Sequence, residues 1–176
     1  YYAGANIVQG TKNTIVGHNA ASKVDATNQH VFGHDCTSVG DTTMTLGAET
    51  NTCSISLDGS DTSWAAASDI RLKDNVEDSL AGLDFINELR PITYKWKAKK
   101  DVPQDMAEYA DSDEPCKGTG KTNHGFVAQE IKAVIDKYDS VKDGNNIWME
   151  ADSGTQTVAP SALVPMLVKA VQELSA

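Results

Sequence analysis

The first 67 residues contain a short repeat that constrains the fold more than any other feature of the sequence. The phrases TIVGHNA, HVFGHDC and TLGAET recur around Gly17, Gly33 and Gly47, at spacings of 16 and 14 residues. Each phrase puts β-prone or apolar residues before its glycine, and a turn segment rich in Ser, Thr, Asn and Asp follows. A repeat of this length provides one or two strands per unit, and no unit buries its apolar side alone.

The repeat segment is also short of large apolar side chains, with only about ten to fifteen in residues 1–67. A β-solenoid, or an interwound β-prism with several chains around one axis, overcomes this shortage because each chain contributes one wall. We therefore predict that residues 1–67 form the end of a homotrimeric β-structured shaft. Extended shafts of this composition are typical of viral fibres.

The repeat segment contains histidine and cysteine residues, which are potential metal ligands. His18 and His34 take equivalent repeat positions, so a metal ring on a threefold axis is one interpretation. We prefer to interpret His18 and His34 as polar turn residues that face solvent or one another. We therefore expect no metal and no cofactor. Cys36 and Cys53 are interpreted as small buried residues. With Cys116 they form no CxxC pair, which indicates reduced thiols rather than a disulfide framework or a zinc site.

The composition changes sharply after residue 67. Lys12 and Lys23 are the only Lys or Arg residues before this point, whereas residues 68–176 are charged and rich in helix-forming patterns. The net charge of −10 argues against a basic nucleic-acid-binding face. No apolar run approaches the roughly 20 residues that span a bilayer, so no membrane contact is expected.

Residues 78–97 are predicted as a helix followed by a strand. Asp78 or Ser79 is the expected N-cap, Arg90-Pro91 ends the helix, and 92–97 alternates as a half-buried strand. The predicted apolar face of the helix consists of Leu80, Leu83, Ile86 (or Phe85) and Leu89.

The remainder is predicted as an exposed loop, a strand leading into a helix, a hairpin and a last helix. The loop covers 98–123, the strand and amphipathic helix cover 124–138, and the last helix covers 161–176. The predicted apolar face of the amphipathic helix consists of Ile131, Val134, Ile135 and Tyr138. Pro165 falls in the first turn of the last helix, where its missing N–H costs little. The apolar stripe of that helix, which predicts parallel association with copies of itself, consists of Leu163, Leu167, Ala170 (or Val171) and Leu174. The fold class is therefore α+β.

These motifs occur in a recognisable order: SDIRLKDNV, GLDFINELRPITYKWK, HGFVAQEI and PSALVPMLVKAVQEL. In this order they resemble the endosialidase-type intramolecular chaperone domain, or peptidase S74 family, found at the C-termini of bacteriophage tail spikes, tail fibres and neck appendages. The resemblance covers 68–176 apart from the loop, so we predict a shaft domain of residues 1–67 and a chaperone domain of residues 68–176.

The resemblance implies a specific function. Such domains trimerise through C-terminal helices, help the upstream fibre of the same chain to assemble, and then cut themselves off before the serine of the Ser-Asp-x-Arg-x-Lys motif. Carried over, the cut lies between Ala67 and Ser68, with Ser68 as nucleophile and Lys73 as base. The supporting residues implied are Asp69, Arg71, His124, Gln129 and Glu130. The residues by themselves also allow purely structural interpretations. Ser68 then caps a turn, Lys73 is a solvated surface charge, and the supporting residues have structural roles.

The chemistry is physically reasonable for a chain that acts on itself. The Ser68 hydroxyl attacks the preceding carbonyl in an N-to-O acyl shift, and water then hydrolyses the ester. A serine needs a base, and a lysine serves when burial or neighbouring cations favour its neutral form. Arg71 has this effect if both it and Lys73 face inward, and the small side chains of 65–67 permit close approach.

Two other functions are compatible with the sequence. One is a trimerisation cap that does not cleave, and another is a receptor- or glycan-binding fibre tip contacting the host cell surface. A glycosidase would need paired carboxylates, and residues 1–67 offer only scattered acids. A eukaryotic membrane-bound transcription factor lacks support, because no basic DNA-binding segment is present. The expected location is the virion after assembly in the bacterial cytoplasm, with the chaperone part released by cleavage.

Overall fold

The computed structural model describes residues 1–61 and 63–176, which divide into two compact units. Unit 1 is Tyr1–Val76 and unit 2 is Glu77–Ala176. The Ser68–Lys73 motif therefore belongs to the same compact unit as the repeat segment. The domain boundary predicted at Ala67–Ser68 marks a change of composition and a proposed cut, and it stays a prediction.

Unit 1 contains one five-stranded sheet in which the strands follow chain order. The first three strands run parallel to one another, and the last two pairs are antiparallel. The predicted β-repeat is thus present, while the homotrimeric solenoid or prism stays a prediction. The strands are β1 Thr14–Val16, β2 Gln29–His34, β3 Thr43–Ala48, β4 Asn51–Ser56 and β5 Ala65–Ala66.

The register of the parallel strands reproduces the repeat seen in the sequence. Thr14 pairs with His30, and His30 pairs with Met44, so that successive strands are offset by 16 and then 14 residues. The same register sets Gly33 opposite Gly47. Each repeat, or turn, therefore contributes one strand that pairs with the equivalent strand of the next repeat.

The repeated glycines are required by close contact between the stacked backbones. Gly17 and Gly33 have φ angles of 124° and 153°, which L side chains rarely adopt. A Cβ atom on Gly17 would lie 1.8 Å from the Gly33 carbonyl oxygen, and one on Gly33 would lie 1.7 Å from that of Gly47. Any other residue at these positions would force neighbouring turns apart.

The apolar core of unit 1 is small. Ala20, Val31 and Cys36 are fully buried, and Ile15 packs against them. Burial raises the pKa of the Cys36 thiol through desolvation. The prediction of a buried Cys36 is confirmed, whereas Cys53 is only half-buried, and all three cysteines are free thiols.

Unit 2 combines four helices with two antiparallel two-stranded sheets, so the α+β class is confirmed at this level. β6 pairs with β7, and β8 pairs with β9 around the turn predicted to form a hairpin. The elements in chain order are α1 Leu83–Glu88, β6 Ile92–Tyr94, β7 Asn123–Gly125, α2 Ala128–Ile135, α3 Asp139–Lys142, β8 Trp148–Glu150, β9 Gln156–Val158 and α4 Val164–Leu174.

A single apolar cluster forms the core of unit 2. Phe85 from α1 packs with Ile131 and Ile135 from α2, and these side chains are at most 2 % exposed. The predicted apolar face of α2 is confirmed, and half-buried Tyr138 packs its ring edge-on against Phe85. The remaining buried members are Ala81, Val134, Val141, Ile147 and Leu163.

The first helix of unit 2 begins later than its pattern predicts. α1 starts at Leu83, with Gly82 as N-cap, rather than after Asp78 or Ser79. Leu80, predicted on the buried face, is 83 % exposed, whereas Ala81 is buried. The helix does end before Arg90-Pro91, as predicted.

The late start follows from a cap supplied by the end of the chain. Glu173 of α4 accepts a hydrogen bond from the Leu83 N–H through Oε2 at 2.7 Å. Its carboxylate approaches so closely that a Cβ on Gly82 would lie 2.4 Å from the same oxygen. A negative charge at a helix N-terminus satisfies free N–H groups and complements the helix dipole.

The last helix has two apolar faces rather than one. A 3₁₀ turn, Pro160–Leu163, precedes α4, and Pro165 lies in the first turn as predicted. The predicted stripe divides, because Leu163 and Ala170 are buried in unit 2. The opposite face is exposed and consists of Val164, Leu167, Val168, Val171 and Leu174. No helix among residues 1–61 and 63–176 is long and apolar enough to span a membrane.

The segment 98–123 is largely exposed, as predicted, but it folds back on itself. Ala98 forms a β-bridge with Pro115, and Val102 is buried. Lys99 pairs with Glu114 at 2.9 Å between Nζ and Oε2. These contacts give the loop a defined path before β7 begins.

Candidate functional site

The predicted cleavage site follows directly on the last strand of the sheet. In β5, Ala65 and Ala66 pair with Ser54 and Cys53 of β4. Pairing fixes the chain one residue before the Ala67–Ser68 bond. The three alanines add little bulk, so access to the Ala67 carbonyl is determined mainly by backbone position.

Asp69 organises the turn that comes next. It is the N-cap of a 3₁₀ turn, Ile70–Leu72, and its Oδ1 accepts a hydrogen bond from the Arg71 N–H at 2.9 Å. The Lys73 N–H then donates to the Ile70 carbonyl at 3.1 Å. This turn brings the Lys73 side chain back toward the start of the motif.

Ser68 and Lys73 meet across this turn. Lys73 Nζ lies 2.8 Å from Ser68 Oγ and donates a hydrogen bond to it. That separation is within the range in which a proton can pass between a nucleophile and its base. Both residues are exposed in the single chain. The spacing of five residues is thus compatible with direct contact.

Arg71 forms an ion pair with Asp69 rather than a contact with the dyad. Its Nε donates to Asp69 Oδ1 at 3.0 Å, and Nη2 donates to Oδ2 at 2.5 Å. The pair lowers the pKa of the Asp69 carboxyl and raises the pKa of Arg71. Arg71 and Lys73 are both exposed, so the inward-facing arrangement considered for them is absent from the single chain.

An apolar row on the outer face of the sheet leads to the predicted cut. The paired residues Val16, Phe32, Leu46, Cys53 and Ala66 cross the sheet from β1 to β5. Val16 is 53 % exposed and Leu46 is 37 % exposed. A cavity of about 520 Å³ lies at the end of this row and is lined by Leu46, Cys53, Ala66 and Ala67 among others.

A comparison with protein families finds a match that begins at this motif. Residues 68–140 match the family described as chaperone of endosialidase, peptidase S74. The match covers 73 of the 176 residues. The match begins at Ser68, the residue after the change in composition. No curated protein and no solved structure matches the chain.

The other predicted supporting residues of the S74 domain lie in unit 2. His124 is in β7, and Gln129 and Glu130 are in the first turn of α2. His124 and Gln129 line one surface cavity of about 580 Å³ beside Tyr94 and Trp96. Ser68, Asp69, Arg71 and Lys73 lie in one motif of unit 1.

Glu130 has a partner that the motif analysis missed. Arg90 Nε donates to Glu130 Oε2 at 2.9 Å, and its Nη2 donates to Oε1. This pair lowers the pKa of Glu130 and raises the pKa of Arg90. The contact ties the end of α1 to the start of α2. Arg90 was visible in the sequence only as a helix-ending residue, since a pair 40 residues apart leaves no local pattern.

Proposed function

We propose that this chain drives the trimerisation and folding of a phage tail fibre or tail spike and then releases itself by cutting at Ala67–Ser68. The match of residues 68–140 to the endosialidase chaperone family supports an intramolecular chaperone role. The 2.8 Å contact between Lys73 Nζ and Ser68 Oγ carries the more specific proposal. The contact occurs at the first residue of the family match, directly after a paired strand.

The proposed reaction is an N-to-O acyl shift followed by hydrolysis. Ser68 Oγ attacks the Ala67 carbonyl carbon, and its proton passes to neutral Lys73 Nζ. The C–N bond then breaks, the Ser68 amine takes the proton, and Ala67 is left as an ester on Oγ. Water adds to this ester, so that residues up to 67 end in a carboxylate and the released part begins with Ser68.

Assembly is the proposed trigger for this reaction. General-base catalysis needs the neutral form of a lysine, because a protonated amine accepts no proton from a hydroxyl. Covering Ser68 and Lys73 by neighbouring chains would favour the neutral amine through desolvation. Cleavage would therefore report that the trimer has formed, which makes it a single-turnover checkpoint.

Two exposed apolar surfaces support self-association. In unit 1 the row from Val16 to Ala66 faces outward, next to the proposed cut. In unit 2 the face of α4 from Val164 to Leu174 repeats at three- and four-residue intervals, as in helices that pack in parallel. Virion assembly in a bacterial host is part of the same proposal.

Intact mass of freshly denatured protein tests the cut. The unmodified chain is expected to give fragments 1–67 and 68–176, and Ser68→Ala and Lys73→Ala are expected to stay at 18.8 kDa. Ser63→Ala and Lys95→Ala are matched controls that should still cleave. Fragments of the same masses from Ser68→Ala would overturn the proposed nucleophile.

The exposure of Ser68 and Lys73 favours one alternative, a trimerisation cap that does not cleave. In that case a single band near 18.8 kDa persists on denaturing electrophoresis, although the native mass corresponds to three chains. Val171→Glu on the exposed face of α4 separates the two functions. Under our proposal it lowers both the native mass and the cleaved fraction, whereas a cap loses only the association.

A further inference from the structure

In unit 1, one residue from each turn of the repeat belongs to a row that runs across the paired strands. Tyr1, His18, His34 and Ala48 hold equivalent positions, because the residues after His18, His34 and Ala48 each donate a backbone hydrogen bond to the preceding member of this set. Asn19 N–H donates to the Tyr1 carbonyl at 2.9 Å, and Asp35 N–H donates to that of His18 at 2.9 Å. Only the two middle turns of this row carry histidines.

The histidines of these two turns lie next to each other. Their rings are stacked, with centroids 5.2 Å apart and planes inclined by 20°. Asp35, in the left-handed region with φ of 52°, follows His34 and turns its carboxylate toward both rings. Asp35 Oδ2 lies 2.9 Å from His34 Nε2, and Oδ1 lies 3.8 Å from His18 Nδ1.

We propose that His18, His34 and Asp35 bind one divalent transition-metal ion of the zinc type in each chain. One donor atom from each residue lies within 4.8 Å of the other two. Among residues 1–61 and 63–176 this is the one such cluster of three or more His, Cys, Asp or Glu side chains. Two imidazoles and a carboxylate are the donors that Zn²⁺ and its neighbours accept.

The distances allow closure around an ion with small movements. Zinc bonds of about 2.0–2.1 Å set tetrahedral donor atoms roughly 3.3 Å apart. The 2.9 Å and 3.8 Å separations bracket this value. The widest separation, at most 4.8 Å, closes when each of two exposed side chains moves by about 0.7 Å.

Asn19 holds the carboxylate in position. Its Nδ2 donates to Asp35 Oδ1 at 2.7 Å, from the turn that carries His18. Asparagine and aspartate thus connect the same two turns that supply the imidazoles. The His18, His34 and Asp35 side chains are 55 %, 56 % and 34 % exposed, so at least one coordination position is open to water.

An ion at this site would join successive turns of the repeat. A simple His34–Asp35 pair accounts for the shorter of the two contacts, but it gives His18 no role. An ion on a threefold axis, the alternative interpretation of the repeat positions, would be shared by three chains. The cluster within one chain predicts one ion per chain instead.

The test uses the full 176-residue chain without a histidine tag, with ZnCl₂ and CoCl₂ as probes. Titration calorimetry is expected to give one Zn²⁺ per chain, and Co²⁺ is expected to give visible d–d absorption that Zn²⁺ abolishes. His18→Ala, His34→Ala and Asp35→Asn should each weaken binding by about 100-fold or more, and Asn19→Ala by about tenfold. His30→Ala, in β2 beside the site, is the matched control and should bind as the unmodified chain does.

Several outcomes would overturn the proposal. These are an absence of saturable binding, one ion per three chains, or unchanged affinity in His18→Ala. Circular dichroism of each variant without metal checks folding. If an alanine variant loses its strand signal, His18→Asn and His34→Asn replace it, and the Co²⁺ spectrum of these variants decides. Saturating Zn²⁺ should also raise the melting temperature of the unmodified chain by roughly 10 °C, and that of His18→Ala by less.

Discussion

The two units are stabilised in different ways. In unit 1 the order comes from backbones that stack at repeat spacing, and the buried apolar cluster contains only Ala20, Val31 and Cys36. In unit 2 the elements are short, but eight buried residues from several of them form one core around Phe85. Unit 1 thus depends on close backbone contact, whereas unit 2 depends on side-chain packing.

The same difference appears in what each unit leaves exposed. Val8, Val24 and Val39 are more than half exposed, although they recur at nearly the repeat spacing. In unit 2 the exposed apolar residues of α4 form one face, opposite the buried Ala170. Repeat units that cannot bury their own apolar side need neighbours, so unit 1 should gain more from assembly than unit 2.

The largest expected effect is that of Gly33→Ala. The new Cβ would lie 1.7 Å from the Gly47 carbonyl oxygen at a φ of 153°, so the turns would have to separate. We expect a loss of more than about 4 kcal/mol in unit 1. Hydrogen exchange measured by mass spectrometry should show lost protection in 29–48 and retained protection in α2. Gly40→Ala is the control, because a Cβ there meets nothing within 4 Å.

The second largest effect is expected from a substitution in the apolar core of unit 2. Phe85→Ala removes the largest buried side chain of unit 2 and should cost about 3–5 kcal/mol. Denaturant unfolding followed by Trp fluorescence, with hydrogen exchange to localise it, measures this cost. Leu80→Ala is the matched control and should change stability by less than about 0.5 kcal/mol, because Leu80 is 83 % exposed. A similar cost for both variants would show that the core has been assigned wrongly.

Much of the fold was predictable because local patterns determine it. The spacing of Gly17, Gly33 and Gly47 matches the offset between the paired strands, and the period of Ile131, Val134 and Ile135 predicted the buried face of α2. The start of α1 was not predictable, since Glu173 caps it from 90 residues away. The division of the apolar stripe of α4 was not predictable either. Its helical period does not show which apolar residues are buried in unit 2 and which are exposed.

The candidate site shows the same limit. The resemblance to the peptidase S74 family implied the roles of Ser68 and Lys73, but only the 3₁₀ turn that follows Asp69 shows how five residues bring the two side chains into contact. The exposure of Arg71 and its pairing with Asp69 were not visible, because sequence does not reveal which charges face solvent. The roles of His124, Gln129 and Glu130 stay predictions, and these residues lie in unit 2.

A smaller effect is expected from the cap that joins α4 to α1. Glu173→Ala removes the acceptor of the Leu83 N–H and should destabilise unit 2 by about 1 kcal/mol. Chemical denaturation gives the change in free energy, and exchange at the first turn of α1 should quicken. Gln172→Ala, at the neighbouring exposed position, is the control. Equal effects in both variants would argue against the cap.

A smaller effect is expected in the stability of unit 1 at acidic pH, which depends on Asp41. The Thr27 N–H and the Gln29 amide hold the pKa of Asp41 below its ordinary value of 3.8. A lowered carboxyl pKa contributes stability that is fully present above 3.8 and lost as pH falls through the folded value. Asp41→Asn keeps the Oδ1 acceptor but cannot titrate. Acid unfolding of unit 1 should therefore begin at lower pH in this variant, and an unchanged onset would refute the assignment.

The smallest effect lies on the alkaline side of unit 2. The Tyr138 hydroxyl donates to Glu88 Oε1 at 2.9 Å, and this bond raises the pKa of Tyr138 above 10.0. A raised pKa contributes stability that is complete below pH 10 and lost as pH rises through the folded value. Tyr138→Phe keeps the ring against Phe85 but should abolish this loss. Absorbance at the tyrosinate band follows the titration, and hydrogen exchange in α2 should respond above pH 10 in the unmodified chain alone. Exchange in the strands of unit 1 should not follow this titration, because Tyr138 stabilises side-chain packing in unit 2 and not the stacked backbones of the repeat.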